Sequence, residues 1–138
     1  MTVDTPIISV SAVVIRNDDG DVLTVRKRGT SRFMFPGGKP EPGETALEAV
    51  VRETREELGV DLNPQGLRPL GVFVAAAANE AQTLVRATVF TYPLPVDVDD
   101  PAAEIDELRW QPIDDGSLTA TPDLAPLLTD AVFPALTR

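Results

Sequence analysis

The chain has 138 residues, no cysteine, no histidine, a formal net charge of −10 at pH 7 and a sequence pI near 4.3. That length suits one domain with a core large enough to fold alone and leaves no room for a second. The acidic balance excludes broad binding of nucleic acid or anionic membrane, and the missing Cys and His exclude disulfides, thiolate nucleophiles, Ser-His-Asp relays and ordinary zinc sites.

What remains is carboxylate chemistry with hard, oxygen-loving cations such as Mg2+ or Mn2+. No stretch of about 18 apolar residues and no basic-then-apolar leader is visible, so a soluble protein that stays in the cytoplasm is expected. Internal repeats, low-complexity tracts and interdomain linkers are absent from the sequence.

In chain order, Ile7 to Arg16 is rich in β-branched residues, with Ile8, Val10, Ala12 and Val14 alternating, and reads as a strand. The turn Asn17-Asp18-Asp19-Gly20 leads to a second strand from Val22 to Arg26, and the pair is expected to form a hairpin. The basic residues Arg26, Lys27, Arg28, Arg32 and Lys39 then cluster within a short span. Each alone is as readily a solvated charge, but the group is better explained by an anionic ligand. In Phe33-Met34-Phe35-Pro36-Gly37-Gly38, Pro36 forces its predecessor into an extended geometry, and the two glycines allow backbone conformations closed to other residues. Phe33 is either a core anchor or part of a stacking surface near a ligand.

The next element is a helix. Thr45 reads as its N-cap with Glu48 as capping-box partner, and Gly59 as the residue just past its end. At about 100° per residue, Leu47, Val51, Thr54 and Leu58 align with Val50 beside them, a stripe suited to packing on a sheet. Glu53, Glu56 and Glu57 fall elsewhere, on a face shared only with the small residues Ala46 and Ala49. Like charges at this spacing cost an isolated helix roughly 0.2–0.5 kcal/mol per pair, which a divalent cation would relieve. A lone E-x-x-E-E is nevertheless more often a solvated acidic face than a metal site.

After the helix, Asp61 to Gly66 reads as a turn-rich connection. Leu70 to Ala78 and Thr83 to Tyr92 read as two strands of a second hairpin, joined around Asn79-Glu80. Pro93 to Pro101 is expected to be an irregular loop, and Glu104 to Trp110 a last strand. From Pro122 through Leu124, Leu127, Leu128, Val132, Phe133 and Leu136 the spacing predicts an amphipathic helix, which Pro134 ends or kinks.

The stretch from Gly38 to Val60, GKPEPGETALEAVVRETREELGV, resembles the Nudix hydrolase box. Gly38, Glu44, Arg52, Glu53, Glu56, Glu57, Gly59 and Val60 occupy its fixed places, and the one departure is Thr54, where the family usually has an aliphatic residue. The preceding aromatic-to-Gly-Gly segment, and the acidic run ending in Trp110, also resemble family features. The resemblance implies an α/β/α sandwich, a mixed β-sheet flanked by helices. It implies a divalent-metal-dependent hydrolase that cleaves a diphosphate bond in a nucleoside diphosphate linked to another moiety, by water attack on phosphorus. In that reading Glu53, Glu56 and Glu57 are metal ligands, completed by the Gly38 carbonyl. Arg52 orients the glutamates, Glu44 braces the loop, and Gly37 and Gly59 are structural. Glu104 is the candidate loop acid for the base and a further metal ligand, ahead of Glu107. Arg26, Arg28, Phe33 and Lys39 would bind a small nucleotide or other diphosphate substrate, and a homodimer is compatible with the fold. The alternative from another class is a catalytically inactive nucleotide-binding or sensor module, although loss of activity usually removes box glutamates and all three are present.

Overall fold

The computed structural model describes residues 5–78, 80–98, 101–113 and 123–136. Strand β1 (Ile7–Ile15) runs through the middle of a four-stranded sheet. It pairs antiparallel with the two-residue strand β3 (Gly37–Gly38) and parallel with β5 (Leu84–Tyr92), in a register that matches Ile7 to Leu84 and Ile15 to Tyr92. Strand β4 (Arg68–Ala76) lies antiparallel outside β5, its register shifted between Pro69 and Gly71. Two further strands, β2 (Val22–Lys27) and β6 (Ile105–Gln111), form a separate antiparallel pair.

Alternation along β1 and β5 divides the core between two layers. Val13, Ile15, Phe90 and Tyr92 point to the side covered by helix α1 (Ala46–Leu58), where Val50 and Leu58 are buried with them. Ala12, Val14, Ala87 and Val89 point to the other side, against Leu128, Val132 and Phe133 of the C-terminal helical segment. Burying such aliphatic and aromatic side chains contributes about 1.5–3 kcal/mol each, so the sheet is held from both faces. The expected sandwich with a mixed sheet is present. Among the described residues no helix is long and apolar enough to cross a membrane.

Three details differ from the sequence-based expectations. The first strand pair is not a hairpin ladder. Only Arg16 and Val22 bridge beside the turn, where the Asn17 side-chain oxygen accepts from the backbone N–H of Asp19 and Asp21, after which β2 departs to pair with β6. The second hairpin, β4 to β5, forms as read, although Asn79 at its turn lies outside the described residues. At the C-terminus the helical region is shorter than expected: Leu124 makes a parallel bridge with Phe33, and Pro122 lies outside the described residues. A π-helical segment spans Leu127–Val132, followed by α2 (Phe133–Leu136). Pro134 lies inside this unbroken helical run, just after the wider turn in which Phe133 N donates to the Leu128 carbonyl.

Candidate active site

Helix α1 starts and stops where its caps dictate. The Thr45 hydroxyl accepts from Glu48 N at 3.1 Å, and the Glu48 carboxylate accepts from Thr45 N at 2.9 Å. Gly59, in the left-handed region at φ 68°, donates to the Arg55 carbonyl at 2.9 Å. The buried face of the helix is rotated from the expected stripe. Ala49, Val50, Thr54, Glu57 and Leu58 are buried, while Leu47 and Val51 are only partly covered. At about 100° per residue, Glu57 lies within about 20° of Val50, so docking Val50 on the sheet carries Glu57 inward with it. Ala49 serves as packing, and the helix is turned so that Glu57 is buried and Glu53 is partly buried against Gly38, while Glu56 stays exposed.

The Gly-Gly strand exists to let that face approach. Gly37 has φ 145°, and a Cβ there would stand 2.0 Å from the Ser11 carbonyl oxygen. A Cβ on Gly38 would meet the Glu53 carboxyl carbon at 2.6 Å. Ser11, on β1 opposite Gly38, ties that neighbouring strand to the helix by donating from its hydroxyl to the Ala46 carbonyl.

Glu57 is the centre of the arrangement. Its side chain is 1% exposed; one carboxylate oxygen accepts from Gly37 N at 3.0 Å, and the other lies 3.7 Å from Lys27 Nζ. That second oxygen has no hydrogen-bond partner. Burial pushes the Glu57 carboxyl up to about 7, against the lowering effects of the Gly37 N–H and Lys27, with Glu53 and Glu104 adding to the rise.

Arg52 gathers the remaining acids. Its guanidinium makes a two-pronged contact with Glu44 at 2.8 and 2.9 Å, reaches Glu53 at 2.9 Å and Glu56 at 3.3 Å, and donates to the Lys39 carbonyl at 3.2 Å. The Arg52 hydrogen bonds hold the Glu44 carboxyl down at about 2, and Glu44 also accepts from Glu41 N, bracing the loop into the helix. Arg52 therefore stands as the internal counter-cation of the box.

The loop before β6 is fastened to the end of α1, since Ala102 N donates to the Glu57 carbonyl at 2.9 Å and Arg28 N donates to the Glu104 carbonyl at 2.8 Å. Glu104 is exposed, and its charge is felt at Glu57. Beside these groups opens a channel of about 380 Å³ lined by Glu53, Gly38, Lys27, Lys39 and Glu80 among others. It shares Val10, Lys27, Met34, Gly38, Ala78 and Val85 with an adjoining apolar chamber of about 120 Å³, which Leu127 and Leu128 of the C-terminal helical segment also line. A larger cavity, about 650 Å³ around Trp110, lies at the opposite ends of β1 and β5, away from the carboxylates.

The structure thus brings together Gly37, Gly38, Glu44, Arg52, Glu53, Glu56, Glu57 and Lys39, with Glu104 at the margin. Arg26, Arg28 and Phe33 do not line the channel. Arg26 is engaged with the Thr30 carbonyl, Asp106 and Glu107, and Phe33 is buried beneath the Arg109 guanidinium, 3.9 Å from its ring centre. Arg109 in turn makes a two-pronged pair with Asp123 at 2.7 and 2.9 Å. The residue that sequence reasoning left out of the site is Lys27. It belonged to the basic cluster, and its position at the end of β2, one residue after Arg26, turns it to the other side of the strand and into the channel.

Among the described residues no three acidic side chains converge on a single point as metal ligands. Arg52 draws Glu53 and Glu56 toward itself, while Glu57 turns under Gly37. The donor set nonetheless fits a hard divalent cation, because it is all oxygen, because a buried Glu57 oxygen has no hydrogen-bond partner, and because the Glu53 carboxylate lies against Gly38.

A Gly-Gly strand laid against a doubly capped helix, with Glu53 of that helix lining a charged channel, defines a box-bearing α/β/α protein. The NUDIX domain family model matches residues 5–131, and the chain belongs to that family. An RNA pyrophosphohydrolase of Halorhodospira halophila is 46% identical over 59 residues, which are 43% of this chain and 32% of that protein. An 8-oxo-dGTP diphosphatase of Escherichia coli is 37% identical over 57 residues, 38% of this chain and 44% of the relative. The chain spans less than half the length of these curated relatives. Among solved structures, the MutT protein from Methanosarcina mazei Go1 superposes with a TM-score of 0.74 at 25% identity, covering 94% of this chain and 92% of that one.

Proposed function

We propose that the chain is a divalent-cation-dependent hydrolase that opens a phosphoanhydride bond in a nucleoside diphosphate carrying a further group, nucleoside triphosphates included. The observation that carries this reading is the buried Glu57 oxygen without a hydrogen-bond partner, 3.7 Å from Lys27, which with Glu53 and Gly38 lines the channel. The names of the pyrophosphohydrolase and diphosphatase relatives favour the same class of reaction.

In the proposed reaction a water oxygen bonds to phosphorus, the anhydride P–O bond breaks, and the leaving phosphate departs with the bonding pair. Mg2+ or Mn2+, held by Glu53, Glu56 and Glu57 with the Gly38 carbonyl, would neutralise phosphate charge and acidify water. Lys27 and Lys39 sit where they can hold the substrate's phosphates along the channel wall. Arg52 positions Glu53 and Glu56, and Glu44 fixes Arg52. Glu104 is the proposed acceptor of the water proton, since its loop is tied to the end of α1 at Glu57.

A panel of nucleoside triphosphates, nucleotide sugars, ADP-ribose and dinucleoside polyphosphates, assayed with Mg2+ and with Mn2+, tests the reading. Turnover that falls in Glu56→Gln, with the fold intact by circular dichroism, supports it. Tight nucleotide binding without turnover of any compound would assign the chain to a binding or sensor role instead.

A further inference from the structure

Resting on the hydrolase reading of this cleft, we infer that the substrates carry a single-ring base: the site selects pyrimidine over purine nucleotides, and it does so by size. The cleft has two compartments of opposite character. The outer channel carries the ionic groups Lys27, Lys39, Glu53 and Glu80, which suits phosphates. The inner chamber, reached past Gly38, is walled by Met34, Phe35, Ala76, Val85, Leu127 and Leu128 and suits the uncharged end of the same molecule.

The chamber holds about 120 Å³. A dry cavity of about 150 Å³ in another protein takes up benzene, so this smaller volume seats one six-membered ring, and a second fused ring would have to project from its mouth or displace its walls. Its polar lining is already committed. The Ser11 hydroxyl donates to the Ala46 carbonyl, and the Lys27 ammonium faces Glu57. Among the described lining residues no other side chain bears a hydrogen-bonding group, so a base edge is not read there by side-chain donors and acceptors. Discrimination falls to the walls. Leu128 is fully buried and Leu127 nearly so, both packed into the core beneath, and a second ring would have to displace them.

The test is a comparison of kcat/KM for dCTP, dTTP, dATP and dGTP at one Mg2+ concentration. Wild type should favour the pyrimidines by about tenfold or more, the size of discrimination an apolar wall supplies. Leu127→Ala, which opens the wall, should raise kcat/KM for the purines relative to the pyrimidines and narrow that ratio; Met34→Ala serves the same purpose should the first variant fail to fold. Equal or better purine turnover by wild type, or an unchanged ratio in the opened variants, overturns the inference and leaves the hydrolase reading standing. Should none of the four be hydrolysed, the wider nucleotide panel decides the hydrolase reading, and titration of CMP and AMP followed by NMR still reads the chamber. Tighter CMP binding upholds selection by size, and equal or absent binding overturns it.

Discussion

Glu57→Gln is the substitution whose consequences are most tightly fixed by the geometry. A carboxyl raised from 4.5 to about 7 binds a proton more readily folded than unfolded. Its favourable contribution is therefore complete below pH 4.5, and it is lost as pH rises through about 7, beyond which the folded state carries a buried charge. A difference of about 2.5 pH units at 1.36 kcal/mol each is on the order of 3 kcal/mol, and with the side chain 1% exposed little of it is screened. The amide keeps an oxygen to accept from Gly37 N but cannot ionise. In EDTA, urea unfolding of wild type and Glu57→Gln from pH 5 to pH 8 should diverge, the variant gaining on the order of 3 kcal/mol over wild type toward pH 8. That corresponds to a shift in urea midpoint of about 1–2 M. Saturating Mg2+ at pH 8 should restore wild type by mass action and leave the variant nearly unmoved. Parallel profiles for the two proteins across this range would refute the claim that Glu57 is the buried, destabilising carboxylate.

Other outcomes follow from individual contacts. Thr54→Val removes a buried hydroxyl without a hydrogen-bond partner and restores the aliphatic character the box usually has, so unfolding should show a gain of about 1 kcal/mol with kcat unchanged. Gly37→Ala places a Cβ against the Ser11 carbonyl at a φ that side chains rarely adopt; it should cost about 2 kcal/mol or more in unfolding free energy and abolish turnover even where the variant is still folded. Lys39→Ala should raise KM with little change in thermal midpoint, because Lys39 lines the channel, whereas Arg26→Ala should lower the midpoint and spare KM, because Arg26 is bound to Thr30, Asp106 and Glu107.

The parts of this molecule that a reader of the sequence can see are those fixed by local chemistry. Helix α1 is announced at both ends, by the reciprocal Thr45 and Glu48 bonds and by Gly59, and the β4 to β5 hairpin joins strands that are neighbours in sequence. The parts that stay hidden are decided by distant partners. The Asn17 turn reverses the chain in either topology, and only β6, more than 70 residues on, settles that β2 leaves β1. Leu124 reads as helical by spacing, but Phe33 N donates to the Asp123 carbonyl and holds Leu124 in an isolated parallel bridge. In the site, the box glutamates and Arg52 are visible as a motif. The burial of Glu57 is not, because a glutamate reads as surface until the helix is docked through Val50. Arg26 and Lys27 are adjacent cations in the sequence, and only the pleat of β2 sends Lys27 to the channel and Arg26 to a structural network.

The central claim is that this chain hydrolyses a phosphoanhydride by water attack on phosphorus, with a divalent cation held by the box glutamates. Hydrolysis of the nucleotide panel in ¹⁸O-labelled water, followed by ³¹P NMR with Mg2+ and again with excess EDTA, addresses it most directly. The account predicts turnover with Mg2+, one labelled oxygen on a phosphate product, and loss of turnover on chelation. Undiminished turnover in EDTA would contradict it, as would no turnover of any compound with Mg2+ or Mn2+.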